Sequence, residues 1–116
     1  MPIPTGLWKY NIKGVLERIA DEAYQRRAWF APDGDFQSPS ELCMELFDDN
    51  FFDDFIGDKD VGFDKDQQTK AKAFSSALKG FFAKRPRYPD PKVVLSDPEW
   101  RMIRDEARAL LENLAL

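Results

Sequence analysis

The feature that most constrains this chain is the helical spacing of its apolar residues. Apolar side chains return every three or four residues over 11–29 and again over 64–84, which is the period of one buried helix face. The same spacing follows Ser38 and Asp97. No stretch alternates apolar and polar residues over six positions, and the one plausible strand, at 92–95, is too short to build a sheet. The pattern therefore predicts an all-α protein.

Three of these helical segments begin with residues that cap helices. Ser38 is followed by proline, and Glu41 lies three residues after it, which is the arrangement of a capping box. Asp64 and Gln67 repeat that spacing at the start of the long fourth helix. Asp97, again followed by proline, opens the last helix. Agreement between caps and apolar spacing strengthens the helical prediction.

The remaining segments are predicted to be short or irregular. Residues 1–9 form an irregular N-terminal arm, 31–35 form a turn, and 90–95 form one short turn. A brief helix begins at Asn50 and ends with Gly57 as its cap. A chain of 116 residues fits one domain, so we expect a single-domain bundle of about five helices over residues 1–116.

The absence of histidine restricts the chemistry of this chain, because histidine is the commonest general base and metal ligand. The single cysteine, Cys43, lies on an apolar helix face, where a packing role is favoured over a reactive thiol. The two glycine-rich motifs that bind phosphate, G-x-x-x-x-G-K-[ST] and G-x-G-x-x-G, are both absent from the sequence. Aspartate doublets at 48–49 and 53–54 leave a divalent-cation site and acid–base catalysis as lesser alternatives. The chain is therefore predicted to be no enzyme and to hold no cofactor or metal ion.

Charge is distributed unevenly along the chain. Residues 33–66 contain twelve acidic and two basic side chains, a net charge of −10, while the rest of the chain carries +6. Between 47 and 56, phenylalanines alternate with aspartate doublets. An unbalanced negative field costs stability through self-repulsion, and a partner with a basic surface relieves that cost. We expect an exposed ring, Phe52 or Phe63, to anchor such a partner. The predicted partner-binding residues are Glu45, Asp48, Asp49, Phe52, Asp53, Asp54, Asp58 and Asp60.

The acidic segment resembles small helical immunity proteins of bacterial toxin–immunity systems, including contact-dependent inhibition systems. The likeness covers residues 38–56 and rests on the opening Ser-Pro-Ser-Glu-Leu at 38–42 and the Leu-Phe-Asp-Asp run at 46–49. Such proteins are often acidic, cytoplasmic and non-enzymatic, and many block nuclease toxins through acidic surfaces. The resemblance implies an inhibitor that occludes a basic site on a partner protein.

Two other functions are consistent with the sequence. An adaptor or regulatory subunit, monomeric or homodimeric, would use the aromatic face of the fourth or last helix. A nucleic-acid binder would use the basic residues of 79–92, where aromatic and cationic side chains interleave. Nucleic acid is the less favoured partner, because an acidic domain repels phosphates. No apolar run reaches the roughly 20 residues that span a bilayer, and residues 1–4 lack the features of a secretory signal, so we expect no membrane partner and a cytoplasmic location.

Overall fold

The structure, a computed structural model, describes residues 3–30 and 38–116. These residues form seven α-helices and no strand. The all-α class is therefore confirmed, but the predicted number of about five helices is wrong. The turn predicted at 31–35 lies outside the described residues. The helices are α1 (Thr5–Ala20), α2 (Glu22–Trp29), α3 (Pro39–Met44), α4 (Phe52–Gly57), α5 (Lys65–Ala83), α6 (Pro91–Ser96) and α7 (Pro98–Leu114), with a π-helical turn at Glu45–Asp49 after α3.

The N-terminal part of the chain departs from its predicted form. Helix α1 already begins at Thr5, so the prediction of an irregular arm over residues 1–9 is wrong from Thr5 onward. The single helix predicted over 11–29 divides at Asp21, which adopts an extended conformation. The Asp21 carboxylate then accepts a hydrogen bond from the Tyr24 N–H at 3.0 Å and caps α2. A residue that offers a local cap thus competes with continuation of the helix.

The capping boxes at Ser38 and Asp64 are both present, and Asp97 caps α7 as predicted. The possible strand at 92–95 is instead part of α6, whose first turn is capped by Asp90.

The prediction that Gly57 caps the short helix is wrong. Gly57 is the last helical residue, and Asp58 follows in an extended conformation. The Asp58 carboxylate accepts hydrogen bonds from the N–H groups of Asp60 and Val61 at 2.8 and 3.2 Å, so an aspartate turn ends the helix without a left-handed glycine. The start predicted at Asn50 is wrong as well, because Asn50 closes the π-helical turn and α4 begins at Phe52.

The hydrophobic core is built around α7, which packs against both α1 and α5. Trp100 is almost fully buried, and its ring lies 5.4 Å from that of Phe81 and 5.8 Å from that of Trp29. A second aromatic cluster joins α4 to α5, where the rings of Phe52 and Phe74 meet edge to face at 6.3 Å. In the part of the chain that the structure describes, no helix is both long and apolar enough to cross a membrane.

Candidate functional site

The connection between α3 and α4 is held by a dense set of hydrogen bonds. Both the backbone N–H and the side-chain amide of Asn50 donate to the carbonyl oxygen of Glu45, at 3.1 and 2.8 Å. The carbonyl oxygen of Asn50 accepts a 2.6 Å hydrogen bond from the Trp8 indole N–H. Asn50 therefore closes the π-helical turn and ties it to the first turns of α1. Single π-helical turns occur frequently at functional sites.

Phe51, the next residue, has an unusual backbone conformation. Its φ and ψ angles are 50° and 53°, in the left-handed region that bulky side chains rarely adopt. Phe51 as a whole is 43% exposed, so burial offsets little of this strain. Strained residues of this kind persist only when surrounding contacts hold them, and they cluster at functional sites.

Phe51 lies on a surface that combines exposed rings with carboxylates. It lines a small cleft together with Trp8 and Asp54. A second, broader cleft of about 590 Å³ is lined by residues of α1 and of the π-helical turn. Its lining includes Tyr10 and Asp49, together with charged side chains of both signs, Lys13, Glu17, Arg18 and Glu45. The Tyr10 ring is 74% exposed. We call the surface formed by Tyr10, Asp49, Phe51 and Asp54 the acidic junction.

Two of the predicted partner-binding acids form ion pairs with other helices of the fold. Glu45 forms a two-pronged ion pair with Arg18 of α1, in which the Nη1–Oε1 distance is 3.0 Å, and this hydrogen bond raises the pKa of Arg18. Asp53 accepts hydrogen bonds from Lys79 and from the hydroxyl of Ser75, the latter at 2.6 Å. Burial works to raise the pKa of Asp53, but these hydrogen bonds outweigh it and lower the pKa.

Two further predictions are corrected by the positions of the side chains. Phe52 is fully buried in the aromatic cluster, so its assignment as an exposed anchor is wrong. Phe63 is only partly buried, yet its ring packs edge to face on Phe55 at 5.5 Å and belongs to the edge of the core. Asp58 forms the turn described above. Phe51 and Tyr10 are the exposed rings of this region, and the sequence analysis did not single them out.

Five of the predicted acids remain exposed, and of these only Asp53 forms a salt bridge with another described residue. Asp48, Asp49, Asp54 and Asp60 form no salt bridge with any residue in the described ranges. The negative surface is therefore smaller than the sequence suggested, because neighbouring helices already neutralise part of it. Asp49 and Asp54 lie at the acidic junction, whereas Asp60 lies in the turn after α4.

The basic segment at 79–92 is also partly neutralised. Lys84 contacts Glu99 at 2.9 Å, and Arg85 contacts Asp97 while stacking 3.5 Å above the Phe81 ring. The hydrogen bond from Arg85 lowers the pKa of Asp97, and that from Lys84 lowers the pKa of Glu99. These pairs give Lys84 and Arg85 a role in joining α5 to α7 and leave less positive charge for a nucleic acid.

The lone cysteine is a poor nucleophile. Burial, reinforced by the charge of Asp48, raises the pKa of the Cys43 thiol to about 12. At neutral pH the thiol is protonated, which agrees with the packing role predicted for it.

Sequence reasoning missed a cleft between α2, α6 and α7 that contains four cationic side chains. Its lining includes Arg26, Lys92, Arg101 and Arg104 beside Glu22. These residues are far apart in the sequence, and only the packing of three helices brings them together. No local spacing could have indicated the cleft.

Comparison with known proteins identifies a family for this chain. No curated protein and no solved structure matches this chain. A family described as Domain of unknown function (DUF7945) matches residues 3–116, almost the entire sequence. The chain therefore belongs to the DUF7945 family.

Proposed function

We propose that this chain is a cytoplasmic, non-catalytic protein-binding domain of the inhibitor type, resembling immunity proteins. Its acidic junction would cover a basic site on a partner protein. The block is steric and electrostatic: the bound domain occupies the site and neutralises its charge, and no bond is made or broken.

The observation that carries the proposal is the conformation of Phe51. The chain holds a large apolar side chain in a strained backbone conformation and exposes its ring to solvent beside Asp54. Neither the strain nor the exposure benefits the isolated fold. Both are explained if the ring enters a pocket on a partner, where aromatic anchors supply much of the binding energy.

The ion pairs behind this surface support the same function. Arg18 pairs with Glu45 and Lys79 pairs with Asp53, so ion pairs connect the π-helical turn to α1 and α4 to α5 without a partner. A pre-organised surface loses less conformational entropy on binding. Asp49 and Asp54 remain exposed and would steer a basic partner through long-range attraction.

The first experiment captures partners at low salt with the wild-type chain and with a triple variant, Asp48, Asp49 and Asp54 each changed to Asn. A matched triple variant changes three exposed acids of α7, Asp105, Glu106 and Glu112, to their amides, which alters net charge equally. The association rate of the captured partner should fall at least about tenfold for the first triple variant and lose most of its salt dependence. Equal rates for the two triple variants would contradict the proposal.

The inhibitor role needs a separate readout. If a neighbouring reading frame encodes a protein with a toxin-like C-terminal domain, co-expression of the wild-type chain should restore growth, and Phe51→Ala should weaken that protection. Growth that is restored equally by both chains would exclude Phe51 as the anchor.

A homodimer is the second candidate, because two apolar side chains near the α6–α7 connection are exposed. Val93 is 57% and Met102 is 62% exposed. Light scattering distinguishes the two candidates: a dimer that dissociates when Met102 is changed to Glu favours self-association, and a monomer at all concentrations argues against it.

A further inference from the structure

The cleft between α2, α6 and α7 has the size of a ligand site. Its volume is about 680 Å³, within the range usual for small-molecule pockets. It lies apart from the acidic junction, since none of its lining residues belongs to that surface. Arg26 comes from α2, Lys92 from α6, and Arg101 and Arg104 from α7.

One carboxylate organises two of the arginines. Glu22 accepts hydrogen bonds from Nε and Nη2 of Arg26 on one oxygen, at 2.9 and 2.6 Å. Its other oxygen lies 3.3 Å from Nη2 of Arg104. The hydrogen bond from Arg26, followed by the charge of Arg104, lowers the pKa of Glu22, so this carboxylate is ionised at neutral pH. Among the residues that the structure describes, the lining has four cations and one anion, a net charge of +3.

The cationic groups are incompletely satisfied. Only 12% of the Arg104 side chain is exposed, and its Nη1 is buried without a hydrogen-bond partner among the described residues. That atom is closed to solvent, so the cations left for an occupant of the cleft are the exposed residues Lys92 and Arg101. Arg101 and Lys92 form no salt bridge within the ranges that the structure describes. Cations gathered in one concave site without enough carboxylates favour an anionic occupant.

We propose that this cleft binds a small phosphate-bearing molecule. A phosphate group offers several acceptor oxygens that an arginine side chain can bind in a two-pronged geometry, which suits Arg101, with Lys92 as a second cation. The ring of Phe30, 39% exposed, also lines the cleft and offers a face for an attached aromatic group. A small molecule fits better than a nucleic-acid strand, because the cations without salt bridges line one concave site of about 680 Å³.

The test uses isothermal titration calorimetry of the full chain with three probes: inorganic pyrophosphate, AMP and adenosine. Pyrophosphate and AMP should bind saturably at low salt, while adenosine, which lacks phosphate, should not bind. If AMP binds more tightly than pyrophosphate and Phe30→Ala abolishes this preference, the ligand is a phosphate ester with an aromatic group. Equal affinities would indicate that phosphate alone is recognised.

Three variants test the assignment of residues. Arg101→Gln should weaken pyrophosphate binding about tenfold, and Glu22→Gln should strengthen it, because the carboxylate that pairs with Arg26 and Arg104 is then neutral. Arg27→Gln is the matched control, since Arg27 is exposed on α2 and does not line the cleft. Opposite changes for Arg101→Gln and Glu22→Gln cannot both come from loss of folding.

Three results would overturn the proposal. Absence of saturable pyrophosphate and AMP binding is the first. Equal weakening by Arg101→Gln and Arg27→Gln is the second, because it indicates general charge attraction. The third is tighter binding of single-stranded DNA than of AMP, with the DNA displacing AMP. If Arg27→Gln weakens this DNA binding, the surface is an extended nucleic-acid site.

Discussion

At the scale of single residues, two neighbouring phenylalanines have opposite environments. Phe52 is fully buried, whereas Phe51 is exposed and left-handed. Phe51 directly follows Asn50, whose hydrogen bonds to Glu45 close the π-helical turn, and it occupies the cap position before α4. Glycine is the residue that adopts this backbone conformation without a steric cost.

Replacement of Phe51 therefore separates strain from binding. Phe51→Gly should have a free energy of unfolding about 1 kcal/mol higher than Phe51→Ala, because alanine retains the left-handed strain and glycine relieves it. Urea denaturation of the two variants measures the difference. Both variants lose the ring, so both should lose partner binding to the same extent. A Phe51→Ala variant as stable as Phe51→Gly would show that the strain is absent.

At the scale of helices, the buried Gln25 connects three elements. Its side-chain N–H groups donate to the carbonyl oxygens of Arg18 and Ile19 at 2.9 and 2.8 Å, at the end of α1. Its oxygen accepts a 3.1 Å hydrogen bond from the Trp100 indole of α7. One amide thus satisfies two terminal carbonyls and one buried donor, which permits α1 to end inside the protein.

Removal of the Gln25 side-chain amide should lower the stability of the fold. We expect Gln25→Ala to lower the free energy of unfolding by about 2–4 kcal/mol, because it leaves buried polar groups without partners and opens a cavity. Gln68→Ala is the control, since Gln68 makes one long hydrogen bond of 3.4 Å to Phe63 and should cost less than about 1 kcal/mol. Chemical denaturation measures both, and similar losses would contradict the assigned role of Gln25.

The cap of α7 gives the protein a defined pH dependence. The hydrogen bond from Arg85, supported by the backbone N–H of Glu99, lowers the pKa of Asp97 below its ordinary value of 3.8. A lowered folded-state pKa contributes stability above the unfolded-state pKa, and this contribution is lost as pH falls through the folded-state value. Asp97→Asn keeps a capping side chain but removes the charge. The free energies of unfolding of wild type and variant should therefore differ most above pH 4.

Denaturation curves at pH 7 and at pH 3 or below test this prediction. The stability difference between wild type and Asp97→Asn should shrink as the solution is acidified. Lys72→Gln, which alters an exposed side chain of α5 outside every salt bridge of the described residues, serves as a control whose effect should not depend on pH. A constant difference for Asp97→Asn would exclude the ion pair with Arg85 as the cause.

At the scale of the whole molecule, α1 links the acidic junction to the core. Near its start, the Trp8 ring packs on Phe55 at 5.2 Å and the indole N–H binds Asn50. At its end, Arg108 of α7 donates a 3.0 Å hydrogen bond to the carbonyl oxygen of Ala20. The junction is therefore held by the same helix that packs on α7, and its strain is supported by the core.

This arrangement predicts a single cooperative unfolding transition. Tryptophan fluorescence, which reports on Trp8 at the junction as well as on Trp29 and Trp100 in the core, should give the same midpoint as far-ultraviolet circular dichroism. Two separated midpoints would show that the junction opens independently of the core.

The sequence by itself determined the helical class, the starts of α3, α5 and α7, and most of the buried faces. These features are local: a cap such as Ser38 acts on a residue three positions later, and a helix face repeats every three or four residues. Only the tertiary structure decided which acids remain unpaired and where cations meet. The partner of Glu45 lies 27 residues earlier and that of Asp53 lies 26 residues later, and the cationic cleft draws on three helices. Local spacing carries no information about contacts between helices so distant in the chain.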